Sequence, residues 1–304
     1  MLLNASGCLD AITAPEVARS LDAFVTKTVT PEPRAGNPPV RIAETDHGML
    51  NSIGLANPGR QAFLAQTLPR LASLNLPIWV SVGGFKANDY AETCALLGGD
   101  EVAAIELNLS CPNVDEAPES AAEIVAACRA ATRLPVYAKL SPAAWDLAEV
   151  ARAVEAAGAD GLTLVNTLRG LALDERTLRP RLARGVGGYS GPALKPVALA
   201  AVYACAAATS LPIVGMGGVT TGRDALELIA AGATHVGLGT VLFSDPAAPA
   251  RIRSELAAEA AALGLSDPAQ ARGLAHQKLL PPTATLDVES RVSAQKTLEN
   301  SPIS

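Results

Sequence analysis

Short apolar runs alternate with alanine-rich stretches at least eight times along this chain. The runs that read as strands are Leu2–Ala5, Ala23–Lys27, Ile78–Val82, Ile105–Leu109, Val136–Leu140, Gly161–Val165, Pro212–Gly215 and His235–Leu238. They are short and largely apolar, as expected of parallel strands buried on both faces. Between them the period becomes helical. In Asp146–Ala157, Leu147, Val150, Ala151 and Val154 share one face, and Gly158 follows where a helix end favours glycine. Arg223–Ala230 reads the same way and ends near Gly232. Eight such βα units satisfy a closed (β/α)8 barrel; an open, doubly wound sheet is the alternative. The expected fold is α/β, a single TIM barrel over residues 1–274 with long βα loops above its C-terminal face.

Two segments break the repeat. Thr28–Pro58 contains Pro31, Pro33, Pro38 and Pro39 and then Gly48–Leu55, and Leu168–Gly191 is rich in arginine. Both read as long irregular βα connections, which in compact domains are usually functional. From about Ala275 periodicity is lost, so residues 275–304 read as a loosely attached polar tail.

A barrel places its chemistry at the C-terminal strand ends, and the polar and glycine residues collect there. Asn4-Ala-Ser-Gly7 follows the first strand, Lys27-Thr28 the second and Ser81-Val-Gly-Gly84 the third. Glu106-Leu-Asn-Leu-Ser-Cys-Pro-Asn113 ends the fourth and Lys139 the fifth. Asn166-Thr167, Gly217-Gly218 and Gly239-Thr240 end the last three. Glycines after the seventh and eighth strands let backbone N–H groups approach an anion, as in the usual barrel phosphate site. Tight turns alone would also use glycine there. Lys27 and Lys139 sit at strand ends in apolar surroundings. A ligand's negative charge is the favoured partner, because neither strand end offers an obvious carboxylate; Glu106, on a neighbouring strand, is the group that would overturn this. Asn51, Asn108, Asn113 and Asn166 can supply paired donors and acceptors to an amide- or imide-like ring. Cys94, Cys128 and Cys205 fall on helical stretches as small core residues, and Cys8 is undecided. His47, His235 and His276 make no triad or metal spacing, and His235 opens a strand at the end away from the site. Cys111 is therefore the leading candidate for a general base. Taken alone, its stretch is equally a strand followed by a proline turn with an inert thiol.

Composition removes several function classes. The chain has 304 residues, 49% hydrophobic, with net charge −6 and 3% aromatics. No basic cluster or aromatic platform suits a nucleic acid. No apolar run approaches the roughly 20 residues that span a bilayer, and no secretory signal pattern opens the chain. Five cysteines without a CxxC pair support neither a disulfide framework nor a zinc or iron–sulfur site, so a reduced cytoplasm and no resident metal are expected.

The ordered runs Asn4–Gly7, Thr26–Thr28, Arg34–Pro38, Gly48–Leu55, Glu106–Asn113, Lys139-Leu140, Val165–Thr167, Gly188–Pro196, Gly215–Val219 and Gly239-Thr240 resemble the class 1 dihydroorotate dehydrogenases. Asn166-Thr-Leu-Arg-Gly170 and Gly188–Pro196 are most similar to class 1B, which pairs this subunit with an iron–sulfur flavoprotein and passes electrons to NAD. The resemblance implies oxidation of (S)-dihydroorotate to orotate, in UMP biosynthesis, on bound FMN. Cys111 would take the proton from C5 while hydride leaves C6 for the flavin. It implies a substrate set of Lys27, Asn51, Ser52, Ile53, Gly54, Leu55, Asn108, Asn113, Asn166 and Thr167. The implied FMN set is Ser6, Lys27, Thr28, Ser81, Asn108, Lys139, Val165, Gly191, Gly217, Gly218, Gly239 and Thr240. It also implies a homodimer, with FAD and the iron–sulfur cluster held only by the partner subunit. Three features depart from the pattern. Class 1B commonly has asparagine where Ser81 stands, members usually carry a β-hairpin before the first strand, and the tail exceeds the family length. The alternatives are a fumarate-linked class 1A enzyme, a uracil-type dehydrogenase and a non-redox phosphate-binding barrel. Val114–Pro118, following the cysteine, lacks the glycine-rich loop of the uracil-type enzymes.

Overall fold

The computed structural model describes residues 1–109 and 118–277. Its first half contains β1 (Leu2–Asn4), α1 (Pro15–Arg19), β2 (Phe24–Val25), β3 (Ile42–Thr45), β4 (Gly48–Asn51), α2 (Arg60–Ala62), α3 (Leu68–Ala72), β5 (Ile78–Val82), α4 (Ala87–Leu96), β6 (Val102–Asn108) and α5 (Pro118–Ala131). The second half contains β7 (Val136–Leu140), α6 (Leu147–Ala156), β8 (Gly161–Leu164), β9 (Leu168–Gly170), β10 (Gly187–Ser190), α7 (Lys195–Ala208), β11 (Ile213–Met216), α8 (Gly222–Ala231), β12 (His235–Leu238), α9 (Val241–Ser244) and α10 (Ala248–Ala262). Eight strands form one parallel sheet in the order β1-β12-β11-β8-β7-β6-β5-β2. A parallel bridge between Leu3 and Ala23 joins its two ends. The barrel is closed, and each expected strand is present within a few residues.

The closing seam uses a side chain as a substitute peptide. Asn4 is fully buried; its Nδ2 donates to Val25 O at 2.7 Å and its Oδ1 accepts from Val25 N at 2.8 Å. Because strand side chains alternate in direction, the barrel interior can be followed in steps of two. Trp79, Ala104 and Tyr137 belong to one interior cluster with Leu3, Ala23, Val25, Val214 and Met216. The Trp79 and Tyr137 rings lie 4.4 Å apart. Two residues further along the same faces come Ser81, Glu106 and Lys139, all buried. The interior therefore changes from apolar to polar toward the C-terminal mouth.

Helices cover the outside through apolar stripes. Val150, Ala151 and Val154 bury one face of α6, and Asp146 caps its start by accepting from Glu149 N at 2.9 Å. Each such valine contributes about 1.5–3 kcal/mol by leaving water. Among the described residues, no helix is long and apolar enough to cross a membrane.

Both long connections, irregular in their sequence pattern, contain regular structure. Thr28–Pro58 carries the β3/β4 hairpin, and Leu168–Gly191 supplies β9 and β10. Together they form an antiparallel sheet in the order β3-β4-β10-β9. Its small core of Ala43, Leu50 and Leu182 draws one residue from a different excursion, so no single segment shows a full apolar pattern. At the other end, the chain stays docked past Ala275. His276 Nε2 lies 2.9 Å from Ala231 O, and its ring stacks on Tyr203. The remainder of the expected tail, 278–304, lies outside the described residues.

Candidate active site

The strand ends bring six of the expected site residues into one chain of hydrogen bonds. Thr28 Oγ1 is its hub. It lies 3.4 Å from Ser6 Oγ and 3.0 Å from Ser81 Oγ, and it accepts from Asn108 Nδ2 at 3.1 Å. Asn108 Oδ1 in turn accepts from Asn166 Nδ2 at 3.2 Å, and Asn166 Oδ1 accepts from Thr167 N at 2.8 Å. Tyr90 on α4 donates to Asn108 O at 2.9 Å and fixes the end of β6 from outside the barrel. Residues separated by more than a hundred positions thus share one polar rim around the mouth. Asn108, Asn166 and Thr167 stay partly exposed, so they can meet a ligand.

Two lysines face this rim. Lys27 is half-buried beside Gly7, where a methyl group on Gly7 would come within 2.8 Å of its Cδ. Burial lowers the Lys27 pKa; the Cys8 thiol opposes this and Lys139 adds to it. Burial also pushes the Cys8 thiol up against the pull of both lysines, so Cys8 is held as a neutral thiol. Lys139 differs from the sequence expectation. Its Nζ lies 3.4 Å from Glu106 Oε1, and the side chains are 6% and 1% exposed. The parallel register sets Glu106 beside Tyr137, which puts Lys139 diagonally across on the same face. A carboxylate therefore partners this cation from the neighbouring strand.

The glycines after β11 and β12 form a cradle. Gly217 and Gly218 have φ of +129° and +76°, open to glycine but strained for other residues. A side chain on Gly218 would meet Lys195 backbone at 2.7 Å, because the start of α7 packs directly behind it. Among the described residues, the N–H groups of Gly191, Gly217, Gly218, Gly239 and Thr240 donate to no protein acceptor. Unpaired donors at helix starts suit a phosphate. Behind the cradle, Asp224 Oδ2 accepts from Thr220 N, Thr220 Oγ1, Thr221 N and Thr221 Oγ1 at 2.8–3.0 Å. Its Oδ1 accepts from Lys195 Nζ at 2.7 Å, and Glu227 takes the same ammonium at 2.9 Å.

The accessory sheet supplies the outer wall. Asn51 Nδ2 donates to Gly188 O at 3.3 Å, and Gly188 packs against Thr167, which joins this sheet to the rim. Ser52 is held by Asn37, whose Nδ2 donates to Ser52 Oγ at 2.9 Å and Ser52 O at 3.1 Å. Gly54 and Leu55 both have positive φ, so the segment turns sharply after Ile53. Ser190 Oγ lies 2.9 Å from Thr240 Oγ1 and ties the sheet to the end of β12. Val165 continues β8 and is buried. Asn37, Tyr90 and Ser190 escaped the sequence reading because each acts through a partner that only the fold supplies. Cys111 and Asn113 lie outside the described residues. Cys94, Cys128 and Cys205 are fully buried, and burial raises the Cys205 thiol to about 12.

A closed (β/α)8 barrel with an anion cradle after its last two strands, and a lysine-flanked amide rim opposite, defines an enzyme barrel built for a phosphate-bearing cofactor and a polar planar substrate. More particularly, the chain belongs to the dihydroorotate dehydrogenase family, whose model matches residues 1–259. It is 48% identical over 254 residues to the Listeria monocytogenes protein named dihydroorotate dehydrogenase B (NAD(+)), catalytic subunit, covering 81% of this chain and 84% of that one. A Latilactobacillus sakei protein of the same name is 46% identical over 281 residues, covering 88% and 91% of the two chains. In fold it is similar to the crystal structure of DHODH from Eimeria tenella in complex with ferulenol. The TM-score is 0.77 at 23% identity, over 91% of this chain and 85% of that one.

Proposed function

We propose that this chain oxidises (S)-dihydroorotate to orotate on FMN, as the catalytic subunit of an NAD-linked enzyme of pyrimidine biosynthesis. The observation that carries the reading is the continuous rim from Ser6 through Thr28 and Asn108 to Thr167, set between two lysines and the glycine cradle in a member of this family. The residues present fit FMN. Five backbone N–H groups without protein acceptors can take its phosphate, and Ser6, Thr28, Ser81, Asn108, Val165 and the lysines can line its ring system. Bound FMN would supply the two-electron acceptor for the substrate hydride.

The chain's own groups do the rest. Asn108, Asn166 and Thr167 offer amide and hydroxyl groups at matched spacing, so a ring of alternating N–H and C=O edges is held flat and aimed. Asn51 and the turn Ser52–Leu55 close it from the accessory sheet, with Lys27 meeting its negative charge. Cys111 takes the C5 proton, and Asn113 completes the clamp; both assignments rest on the resemblance. Cys8 does not compete as a base, since burial keeps its thiol protonated. Exposed Val40, Ile42, Leu171, Leu173 and Leu178 on or next to the accessory sheet support a homodimer. The relatives' name supports a separate electron-transfer subunit, which we take to carry FAD and an iron–sulfur cluster. The buried thiols suit a cytoplasmic setting.

The test is direct. The purified protein should show an oxidised-flavin absorbance band that dihydroorotate bleaches, and NAD reduction should appear only with the partner subunit. Cys111→Ala should keep the band and slow bleaching at least about 100-fold. A protein that cannot be loaded with FMN sinks the reading, and fast turnover with fumarate by the isolated chain would move it to class 1A.

A further inference from the structure

The proposed reaction needs a donor rim, an anion cradle and a base, but no carboxylate inside the barrel. Glu106 is nevertheless there, 1% exposed, with Lys139 Nζ at 3.4 Å. Burying a carboxylate is costly, and an apolar side chain of similar volume would fill the space at no such penalty. Glu106 lies on the same face of β6 as Asn108, two residues below the rim, and Lys139 lies across from Asn108 in the register. The pair thus forms the floor on which the mouth rests. A second cation, Lys27, is close enough for Lys139 to lower its pKa.

We infer that Glu106 is a positioning residue: it fixes the Lys139 ammonium at the floor of the mouth and, through it, sets how strongly the site prefers reduced over oxidised cofactor. The inference rests on the flavin reading above. Reducing a flavin by two electrons adds negative charge to its ring system. A lone buried ammonium favours that charge, and a carboxylate at 3.4 Å cancels much of the ammonium's field. The sign of the effect does not depend on how the ring is turned, because the carboxylate's negative charge opposes added electrons from every side. Lys27 then remains as the less compensated cation of the mouth, and the site is kept from holding electrons too tightly to pass them on.

The test uses FMN-loaded protein without substrate, in the parent, Glu106→Gln, Lys139→Met and the double variant. Each bound flavin is equilibrated with a reference dye to give its midpoint potential, and FMN affinity is measured alongside. Glu106→Gln should move the potential in the positive direction, equivalent to about a tenfold gain in preference for the reduced form. Lys139→Met should move it in the negative direction. In the Lys139→Met background the buried carboxylate has lost its ion-pair partner and takes up a proton, so adding Glu106→Gln should shift the potential far less than it does with Lys139 present, which a merely structural role would not predict. Glu106→Asp, which keeps the charge but withdraws it by one methylene, should give a smaller positive shift and serves if the glutamine variant fails to fold. Parent-like potential in Glu106→Gln, or in Glu106→Asp where it stands in, overturns the inference. So does a shift as large without Lys139 as with it. Failure of the parent itself to bind FMN would instead overturn the flavin reading.

Discussion

Replacing Asp224 with asparagine removes one charge from behind the anion cradle while keeping the side chain's shape. Burial pushes the Asp224 acid up, but the Lys195 ammonium and the Thr220 and Thr221 donors outweigh it and hold the group at about 2, below its ordinary 3.8. Asp224 is 8% exposed, but its Lys195 partner is 28% exposed, so solvent screens part of this effect. A depression of that size corresponds to about 2 kcal/mol of folding stability. Because the folded pKa is the lower one, the stabilisation is fully present above pH 3.8 and is lost as the pH falls through about 2. Asparagine cannot satisfy both sides: its oxygen can serve either Lys195 or the four donors of Thr220 and Thr221, while its NH2 faces the other set. Urea unfolding at pH 7 should therefore show Asp224→Asn less stable by about 2–3 kcal/mol. The gap should narrow to under about 1 kcal/mol near pH 2.5. FMN affinity at pH 7 should fall about tenfold, because the loop bearing Gly217 and Gly218 loses its anchor. A variant within about 0.5 kcal/mol of the parent at pH 7, or a gap unchanged down to pH 2.5, refutes the argument.

Asn4→Ala should cost about 2–4 kcal/mol in urea unfolding, since Val25 N and O lose their partners in a buried seam. Gly218→Ala should weaken FMN binding by at least about tenfold in a flavin-fluorescence titration, as a methyl group there meets Lys195 backbone at positive φ. His235 is held neutral by burial, which lowers its pKa to about 4 with help from the nearby N-terminal ammonium. The unfolded imidazole protonates first, so stability should decline as pH falls from 6.5 toward 4. His235→Asn should flatten that part of a thermal-stability profile, and an unchanged slope would assign the decline to other groups.

The barrel was legible because its strands are buried on both faces and write their burial into a run of apolar letters. The polar rim was legible for a related reason: Ser6, Thr28, Asn108 and Asn166 each stand just past such a run, where the fold admits polar groups. The accessory sheet was not. β3 and β9 are three or four residues long, and Leu50 finds Leu182 across more than a hundred positions. The hairpin turn uses Asp46-His47 where Asn-Gly would have announced it. Glu106 and Lys139 were both visible as residues, yet their pairing depends on the β6/β7 register, which no local pattern encodes. The same holds for Lys195, whose charge is spent on Asp224 and Glu227 from the next helix.

The order of strands around the barrel also sets a timetable for its assembly. Of the eight barrel strands β1 is made first, but its parallel neighbour on one side is β12, with Leu3 paired to Gly237. Until the last strand has been made, β1 can use only the short seam to β2 held by Asn4 and Ala23. Contacts at such separation form slowly, and two open strand edges persist through most of synthesis. The nascent chain therefore spends its longest interval as an unclosed sheet, and chaperone demand in the cell should track closure of this one seam more closely than the stability of the finished enzyme.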